Sequence, residues 1–318
     1  MNIYLAPMEE VTGYVFRKVY SELFGNIDKY FTPFLTPTQK KILKTKDLKE
    51  VAKENNLGNK VVPQLLTNNS DHFIETIEFL MDLGYREFNL NCGCPAGTVF
   101  TKFKGSGMLS DLNRLDAFLE SIFNYRDIKN HEFEISVKTR TGIEDHSQVE
   151  EILEVYNRYP LSELIVHPRT REQYYNGHAD LEIFDTCVRK VKTKLCYNGD
   201  IFTVENYREI VSRFDSADAV MIGRGIITNP GLVGEIKGAE PLSKTKLKEF
   251  HDRLYEEYKI ALSSTKDALF KMKEVWFYLD GSFVINHEYE KYRKIIKKTD
   301  DDTAYSNAVK NIFSLQME

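Results

Sequence analysis

Eight short apolar or alternating runs recur along the first three quarters of the chain, separated by longer segments of helical periodicity. The runs are Ile3–Ala6, Lys29–Phe34, Lys60–Leu66, Glu87–Asn91, Glu134–Thr139, Glu163–His167, Lys194–Asn198 and Ala219–Gly223. Most are rich in Val, Ile, Phe or Tyr and stop at a polar residue, Gly or Pro, as buried strands do. Between them, Ser70–Leu83 carries Phe73, Ile74, Ile77, Leu80 and Met81 on one face, and Leu112–Tyr125 carries Leu115, Phe118, Leu119 and Ile122. Glu150–Tyr159 and Val204–Phe214 follow the same rule. Ser70, Asp111 and Thr203 stand at N-cap positions, and Gly84 at a C-cap. Eight strands alternating with helices predict an α/β fold, a closed (β/α)8 TIM barrel. A doubly wound open sheet is the alternative. It carries a Gly-rich turn after its first strand, whereas here Ile3–Ala6 runs into Pro7-Met8 without a GxGxxG.

Past Gly238–Pro241 the strand pattern stops. Leu247, Leu254, Tyr258, Ala261 and Leu262 fit one helix, and Ala268–Leu279 and Tyr289–Ile296 fit two more. The reading is a barrel over 1–240 followed by a small all-helical domain over 241–318. The 318 residues therefore divide unequally, not into two domains of about 150 residues each. No low-complexity segment and no repeat beyond the β/α alternation interrupts this. Four cysteines, at 92, 94, 187 and 196, form no CxxC pair and are too few for a disulfide scaffold. Two further ligands beside the Cys92/Cys94 pair are lacking, so no metal site is expected. The N-terminus shows no secretory pattern, and no apolar run approaches the ~18 residues of a membrane span. A cytoplasmic protein without membrane attachment, working as a monomer, is expected.

Chemistry in a barrel sits at the C-terminal strand ends. Here those ends read Ala6-Pro7-Met8, Gln64, Asn91-Cys92-Gly93-Cys94-Pro95, Lys138-Thr139-Arg140, His167-Pro168-Arg169, Asn198-Gly199-Asp200 and Gly223-Arg224-Gly225. Polar or cationic residues directly after apolar strands are not what a purely structural barrel needs. Asn198-Gly199-Asp200 and Gly223-Arg224-Gly225 offer bare backbone N–H groups and one guanidinium, as phosphate loops do; the blander reading is two turns that use glycine for its conformational freedom. Lys138 and Arg140 share strand parity, so both can face inward and stabilise negative charge, or Lys138 can snorkel to solvent. A lone histidine such as His167 is more often structural than catalytic. Cys94, in a Gly-Cys-Pro turn just past a strand, faces the barrel mouth and can serve as nucleophile or general acid. Cys92, nearer the strand, fits a buried filler.

Taken together, these residues resemble the flavin-dependent tRNA-dihydrouridine synthases. Asn89-Leu90-Asn91-Cys92-Gly93-Cys94-Pro95 is similar to their NxNxGCP motif. Ala6-Pro7-Met8 with Thr12, Gln64, Lys104-Gly105-Ser106-Gly107-Met108-Leu109, Lys138-Thr139-Arg140, His167-Pro168-Arg169-Thr170, Asn198-Gly199-Asp200 and Gly223-Arg224-Gly225 follow in the family's order, over about residues 1–235. The resemblance implies FMN, with its phosphate at Gly199, Gly223 and Arg224, and Lys138 near the N1/O2 edge of its ring. It implies that Ala6, Pro7, Met8, Gln64, Asn91, His167, Asn198 and Asp200 complete the cofactor site. It implies NADPH as reductant, a hydride from flavin N5 to C6 of a uridine in tRNA, and a proton from Cys94 to C5. A thiol of ordinary pKa near ~8.5 is protonated at neutral pH and suits that role. The uridine must leave its stack to be reached. Arg140 and Arg169 are candidates for the base or its phosphate. Cys92 stands where the family often has Met, and Pro168 where Gly or Ala is common after the His.

Two other classes share parts of this pattern: an FMN barrel acting on a small pyrimidine, such as a dihydroorotate dehydrogenase, and an RNA-binding barrel that has lost catalysis. The first needs no helical domain after the barrel. The second is disfavoured by the retention of Cys94 and Lys138. The net charge of -5 speaks only weakly against RNA, because it is unevenly spread. Residues 241–300 hold 13 Lys and Arg against 10 Asp and Glu. Lys244, Lys246 and Lys248 form one basic cluster, and Lys291, Arg293, Lys294, Lys297 and Lys298 another. Such runs are usually a solvated helix surface. The functional reading makes Lys294 and Lys298, with Arg169, Arg171 and Lys102 on the barrel rim, phosphate contacts.

Overall fold

The computed structural model describes residues 1–38, 42–129 and 132–315. One parallel sheet holds nine strands: β1 (Asn2–Leu5), β2 (Lys29–Phe31), β3 (Val61–Val62), β4 (Gln64–Leu65), β5 (Glu87–Cys92), β6 (Glu134–Arg140), β7 (Glu163–His167), β8 (Leu195–Tyr197) and β9 (Ala219–Ile222). Their order is β3-β2-β1-β9-β8-β7-β6-β5-β4. The two ends of that order, β3 and β4, are joined through Pro63 alone, so the sheet closes into a barrel. All eight expected strands are present, the third cut in two. Proline has no N–H to give to the ladder. On either side of it, β3 pairs with β2 and β4 with β5. The Pro63 carbonyl still accepts from the Asn89 N–H at 2.9 Å, and the Gln64 N–H turns to the Thr32 hydroxyl at 3.0 Å.

Helices lie between the strands, among them Ser70–Asp82, Leu112–Lys129, Val149–Tyr156, Leu181–Lys190 and Val204–Arg213. The N-cap of the first is Asn69 rather than the expected Ser70: the Asn69 side-chain Oδ1 takes the His72 N–H at 2.8 Å, and Ser70 is already helical. Asp111 and Thr203 cap as expected, accepting from the N–H groups of Arg114 and Asn206. Gly84 adopts φ +96° just past the C-cap, a conformation that favours glycine.

Side-chain period two assigns each strand residue to the axis or to the helices. Tyr4, Ala6, Phe31, Val62, Ile165, Cys196, Ala219 and Met221 cluster on the axis, so the barrel is filled and not a pore. At its N-terminal end the filling is ionic. Lys29 Nζ meets Glu87 at 2.5 Å and Glu163 at 3.5 Å, and the Tyr4 hydroxyl donates to Glu163 at 2.9 Å. Burial pushes the Glu163 carboxyl up against the pull of Lys29, while Glu163 and Glu87 outweigh burial at Lys29 and hold its ammonium charged.

Contacts divide the chain into two units. One comprises Met1–Pro7, Asp28–Asp200 and Arg208–Ile222 and holds every strand. The other comprises Met8–Ile27, Ile201–Tyr207 and the described residues from Gly223 on. The second is helical, with Tyr14–Leu23, Lys244–Ala261, Thr265–Leu279, His287–Lys298 and Asp302–Ile312 as its main elements. Phe16 and Phe24 pack on Phe250, and Trp276 and His251 both bond the Tyr305 hydroxyl. Among the described residues no helix is long and apolar enough to cross a membrane.

Removing the cation from the barrel floor leaves Glu163 buried without its ion-pair partner. Lys29→Met should destabilise the protein by about 3 kcal/mol in urea unfolding, and adding Glu163→Gln should recover part of that loss. Equal stability of parent and Lys29→Met would contradict this account of the floor.

Candidate active site

At the opposite end of the barrel the inward positions are polar. Asn89 and Asn91 share the axis face of β5; Gln64 stands opposite Asn89 in register, and Ser136 and Lys138 stand opposite Asn89 and Asn91. These side chains form one directed chain of hydrogen bonds. Ser136 Oγ donates to the Phe88 carbonyl at 3.2 Å and accepts from Asn89 Nδ2 at 2.9 Å. Asn89 Oδ1 accepts from Gln64 Nε2 at 2.7 Å, and Gln64 Oε1 accepts from Asn91 Nδ2 at 2.7 Å. Asn91 Oδ1 is thereby turned toward the backbone, where it takes the N–H groups of Gly93 at 3.0 Å and Cys94 at 2.9 Å. Gln64 has no exposed surface and reaches the barrel mouth only through Asn91.

The end of β5 separates the two neighbouring thiols. Cys92 points away from the axis, opposite in phase to Asn91, and lies buried with its sulfur 3.9 Å from that of Met108. Burial pushes the Cys92 and Cys187 thiols up to about 12 and Cys196 well above its usual range. Cys94, past the strand end, is the half-buried one of the four. Its carbonyl accepts from the Ser106 N–H at 3.1 Å and the Ser106 hydroxyl at 2.8 Å. Gly105 has φ +57°, and a Cβ there would lie 2.9 Å from both the Cβ and the carbonyl oxygen of Cys94. The glycine lets this segment seat directly against the thiol-bearing turn.

Lys138 is half-buried on the same axis face and forms no ion pair among the described residues. Burial, then the charge of Arg140, push its ammonium down to about 8. Arg140 itself is buried, and its guanidinium donates to three carbonyls: Gly93 at 2.9 Å, Thr170 at 2.7 Å and Tyr174 at 2.9 Å. It ties the Cys94 turn to the loop after β7.

His167 ends β7, also on the axis. Arg169 Nη1 lies 3.1 Å from His167 Nε2. A guanidinium only donates, so in this contact Nε2 is the acceptor. Arg169 is fixed in turn by Asp200, at 3.0 and 2.6 Å, and by the Gly177 carbonyl at 2.7 Å. Asp200 also accepts from the Ala179 N–H at 3.0 Å. Asp200 is thus the counter-ion of Arg169. Asn198 Nδ2 donates to the Met221 carbonyl at 2.8 Å, and a Cβ at Gly199 would meet the Tyr197 hydroxyl at 2.0 Å. Ala6 is buried at the end of β1, its N–H on the Ile222 carbonyl, and Pro7 follows it half-buried.

The barrel unit therefore brings together Gln64, Asn91, Cys94, Lys138, Arg140, His167, Arg169, Asn198, Gly199 and Asp200. Met8, Gly223, Arg224, Lys294 and Lys298 belong to the second unit. There the Met8 N–H donates to Thr12 Oγ1 at 2.7 Å, and Arg224 lies over the Phe202 ring at 5.2 Å. Lys294 and Lys298 are exposed on the helix His287–Lys298 and form no ion pair among the described residues. Asn89, quoted in the sequence only as part of the motif, and Ser136, which the sequence reading passed over, both belong to the hydrogen-bonded chain that holds Asn91. Their signal was present: each is polar inside an apolar strand, two residues before a site residue and hence on the same face.

The family model for dihydrouridine synthases matches residues 4–315. Among curated proteins, a probable tRNA-dihydrouridine synthase of Rickettsia prowazekii is 27% identical over 237 residues, 74% of this chain and 70% of that protein. The tRNA-dihydrouridine(16) synthase of Escherichia coli K12 is 28% identical over 248 residues, 76% and 77% of the two chains. Among solved structures, morphinone reductase superposes with a TM-score of 0.53 at 12% identity, covering 76% of this chain and 87% of its own. The old yellow enzyme of Trypanosoma cruzi gives 0.55 at 10%, covering 80% and 93%. These last two likenesses are of fold.

The depressed Lys138 ammonium makes a stability prediction for the ligand-free protein. Between about pH 8 and the unfolded value near ~10.4, the unfolded chain binds the extra proton, so this group's destabilising effect is complete below 8 and fades as pH rises. Lys138→Met should stabilise the ligand-free protein by about 1–3 kcal/mol at pH 7, and the gain should shrink by pH 10. Urea unfolding at both pH values checks it; no gain at pH 7 would mean the ammonium is not strained by its surroundings.

Proposed function

Since the chain belongs to the dihydrouridine synthase family, a family of flavin-dependent oxidoreductases, we propose that it reduces specific uridines of tRNA to 5,6-dihydrouridine, with FMN as bound cofactor and NADPH as reductant. One observation carries the reading furthest. A half-buried thiol, pinned through Asn91 to a hydrogen-bonded chain inside the barrel, shares the barrel mouth with an ammonium that no carboxylate among the described residues neutralises. Membership of this family sets aside a dihydroorotate dehydrogenase, and the presence of both groups speaks against a barrel that has lost catalysis.

The residues present fit FMN. Burial, and then the charge of Arg140, hold the Lys138 ammonium below its usual range, and an electron-rich ring edge would relieve it. His167, with its Nε2 beside Arg169, and Asn91 with its directed amide offer polar contacts beside it. Gly199, where a side chain would strike Tyr197, presents the bare backbone that a phosphate turn uses. Gly223 and Arg224 carry the same proposal from the sequence pattern alone. When bound and reduced by NADPH, FMN supplies the hydride for C6 of the uracil ring. Cys94 gives its Sγ proton to C5 and recovers one from solvent, so the C5=C6 bond gains one hydride and one proton. Asn91 holds the Cys94 turn, and Gln64, Asn89 and Ser136 hold Asn91. Arg140 and Arg169, proposed from sequence for the base or its phosphate, have their guanidiniums engaged by protein acceptors; they serve the reaction by fixing the rim loops and the His167 ring. A tRNA substrate supports a cytoplasmic location for this reaction.

Mapping dihydrouridine in total RNA with and without this protein tests the reaction. Position 16 is the first to inspect, because it is named for the Escherichia coli relative. Cys94→Ala should keep its flavin absorbance and lose dihydrouridine formation by about 10²-fold or more. Full activity in that variant would remove the acid role. For the helical unit, Lys294→Glu with Lys298→Glu should weaken tRNA binding and reduce the slope of log affinity against log salt by about 2. An unchanged slope would take these lysines out of the RNA contact.

A further inference from the structure

The turn Lys102–Phe103–Lys104, of which the sequence offered only Lys102 as a phosphate contact, adjoins the reactive thiol. It follows the helix Gly97–Phe100 and runs straight into Gly105, the glycine seated on Cys94. Phe103 has a left-handed backbone, φ +53°, which is costly for a bulky residue. Its ring is 41% exposed. Strain of this kind persists only where surrounding bonds impose it, and it concentrates at functional sites. Here the bonds are explicit. The Phe103 N–H donates to the Phe100 carbonyl at 2.9 Å and the Lys104 N–H to the Val99 carbonyl at 3.2 Å. The Lys102 carbonyl accepts from Asn68 Nδ2 at 2.8 Å. The Arg114 guanidinium lies 4.8 Å from the ring centroid. The ring is therefore displayed on a rigid turn, not left over from a loose one.

The two flanking residues are lysines, and a third, Lys44, comes within electrostatic reach of Lys104. Burial and the charges of Lys102 and Lys44 together lower the Lys104 ammonium. None of the three forms an ion pair among the described residues, although many other lysines of the chain do. An exposed aromatic ring set between uncompensated ammonium groups is the arrangement that holds single-stranded nucleic acid: the ring stacks on a base of any identity, and the cations follow the phosphates. An apolar partner would leave the lysines unpaired, and a free phosphate would leave the ring unused.

We propose that this turn grips the RNA strand beside the extruded uridine, with a neighbouring base stacked on Phe103 and the adjoining phosphate held by Lys44, Lys102 and Lys104. The proposal rests on the tRNA reading above and deepens it. Phe103 stands two positions before Gly105, a span of at most ~7 Å, so a base on this ring is close in the strand to the one at Cys94. Stacking is indifferent to base identity, so the turn adds affinity and commitment without dictating the flanking sequence.

Phe103→Gly separates ring from backbone, because it deletes the stack while relieving the left-handed strain. It should raise the Kd for unmodified tRNA about 10-fold or more, leave the salt slope as in the parent, and leave the thermal midpoint no lower. Phe103→Trp should restore parent affinity. Lys102→Glu with Lys104→Glu should instead reduce the salt slope by about 2. Parent-like binding by both the glycine and the double-glutamate variants would overturn the proposal. So would a Phe103→Gly protein whose weaker binding comes with a lowered midpoint, since the ring would then serve only the fold. If the parent itself neither binds unmodified tRNA nor yields dihydrouridine, the functional reading fails, and the proposal with it.

Discussion

Asn91 faces two ways: its amide nitrogen is held by Gln64 inside the barrel, and its oxygen receives the N–H groups of Gly93 and Cys94 outside it. The position of the reactive turn therefore depends on a bond made within the core. A loop closed only by its own residues could drift by an ångström. This one is anchored to Gln64, Asn89 and Ser136, on three strands whose register is fixed by backbone ladders. Each net bond in the series is worth only about 1 kcal/mol, but each group is buried, and breaking any one strands a polar atom away from water. The series also has a direction, set by Ser136 donating to a backbone carbonyl, so none of the amides can flip without breaking its neighbour's bond.

The barrel contains two inward lysines in opposite states. Lys29, at the N-terminal end, has Glu87 and Glu163 and stays charged despite burial. Lys138, at the C-terminal end, has Arg140 as its charged neighbour and is pushed down. The chemistry of the side chain is the same, and the difference is wholly in what the facing strands provide. The paired end contributes to stability, and the unpaired end stores a demand for negative charge that a ligand can meet. This is the division of labour between the two faces that the fold permits.

Much of this was legible in the sequence because it is local. A strand's apolar run, a polar residue at its end and the alternation with helices all show within a few residues, so the eight strands and the site positions on them could be located. Cys94 stood apart from Cys92 for the same reason, since it lies in a Gly-Cys-Pro turn past the strand end while Cys92 is the strand's last residue. The break at Pro63 was visible as a proline but not as a closure point, because that role depends on which strands flank it. The Asn69 cap was displaced from Ser70 by one residue, a choice between two good capping side chains. What stayed hidden is pairing at a distance. Arg169 and Asp200 are on different loops, and nothing in either tripeptide shows that one neutralises the other. Likewise Phe16 and Phe250 are far apart in sequence, so the grouping of residues 8–27 with the C-terminal helices could not be read from any local pattern.

Arg140 and Arg169 explain why the rim loops hold together without much apolar burial of their own. A guanidinium presents five donors in a fixed plane, and a lysine in the same place could satisfy far fewer acceptors in fixed directions. Arg140 joins the Cys94 turn to two carbonyls of the loop after β7; Arg169 joins the later part of that loop to Asp200, past β8. The loops after β5, β7 and β8 are thereby linked in series. The bonds of Arg140 to the Gly93 and Thr170 carbonyls are buried, so a lost guanidinium would have no water to replace it there and displacement of one loop is resisted by the next. The Cys94 turn is held through its N–H groups by Asn91 and through the Gly93 carbonyl by Arg140. Two independent sets of buried bonds would have to fail together before the thiol could move.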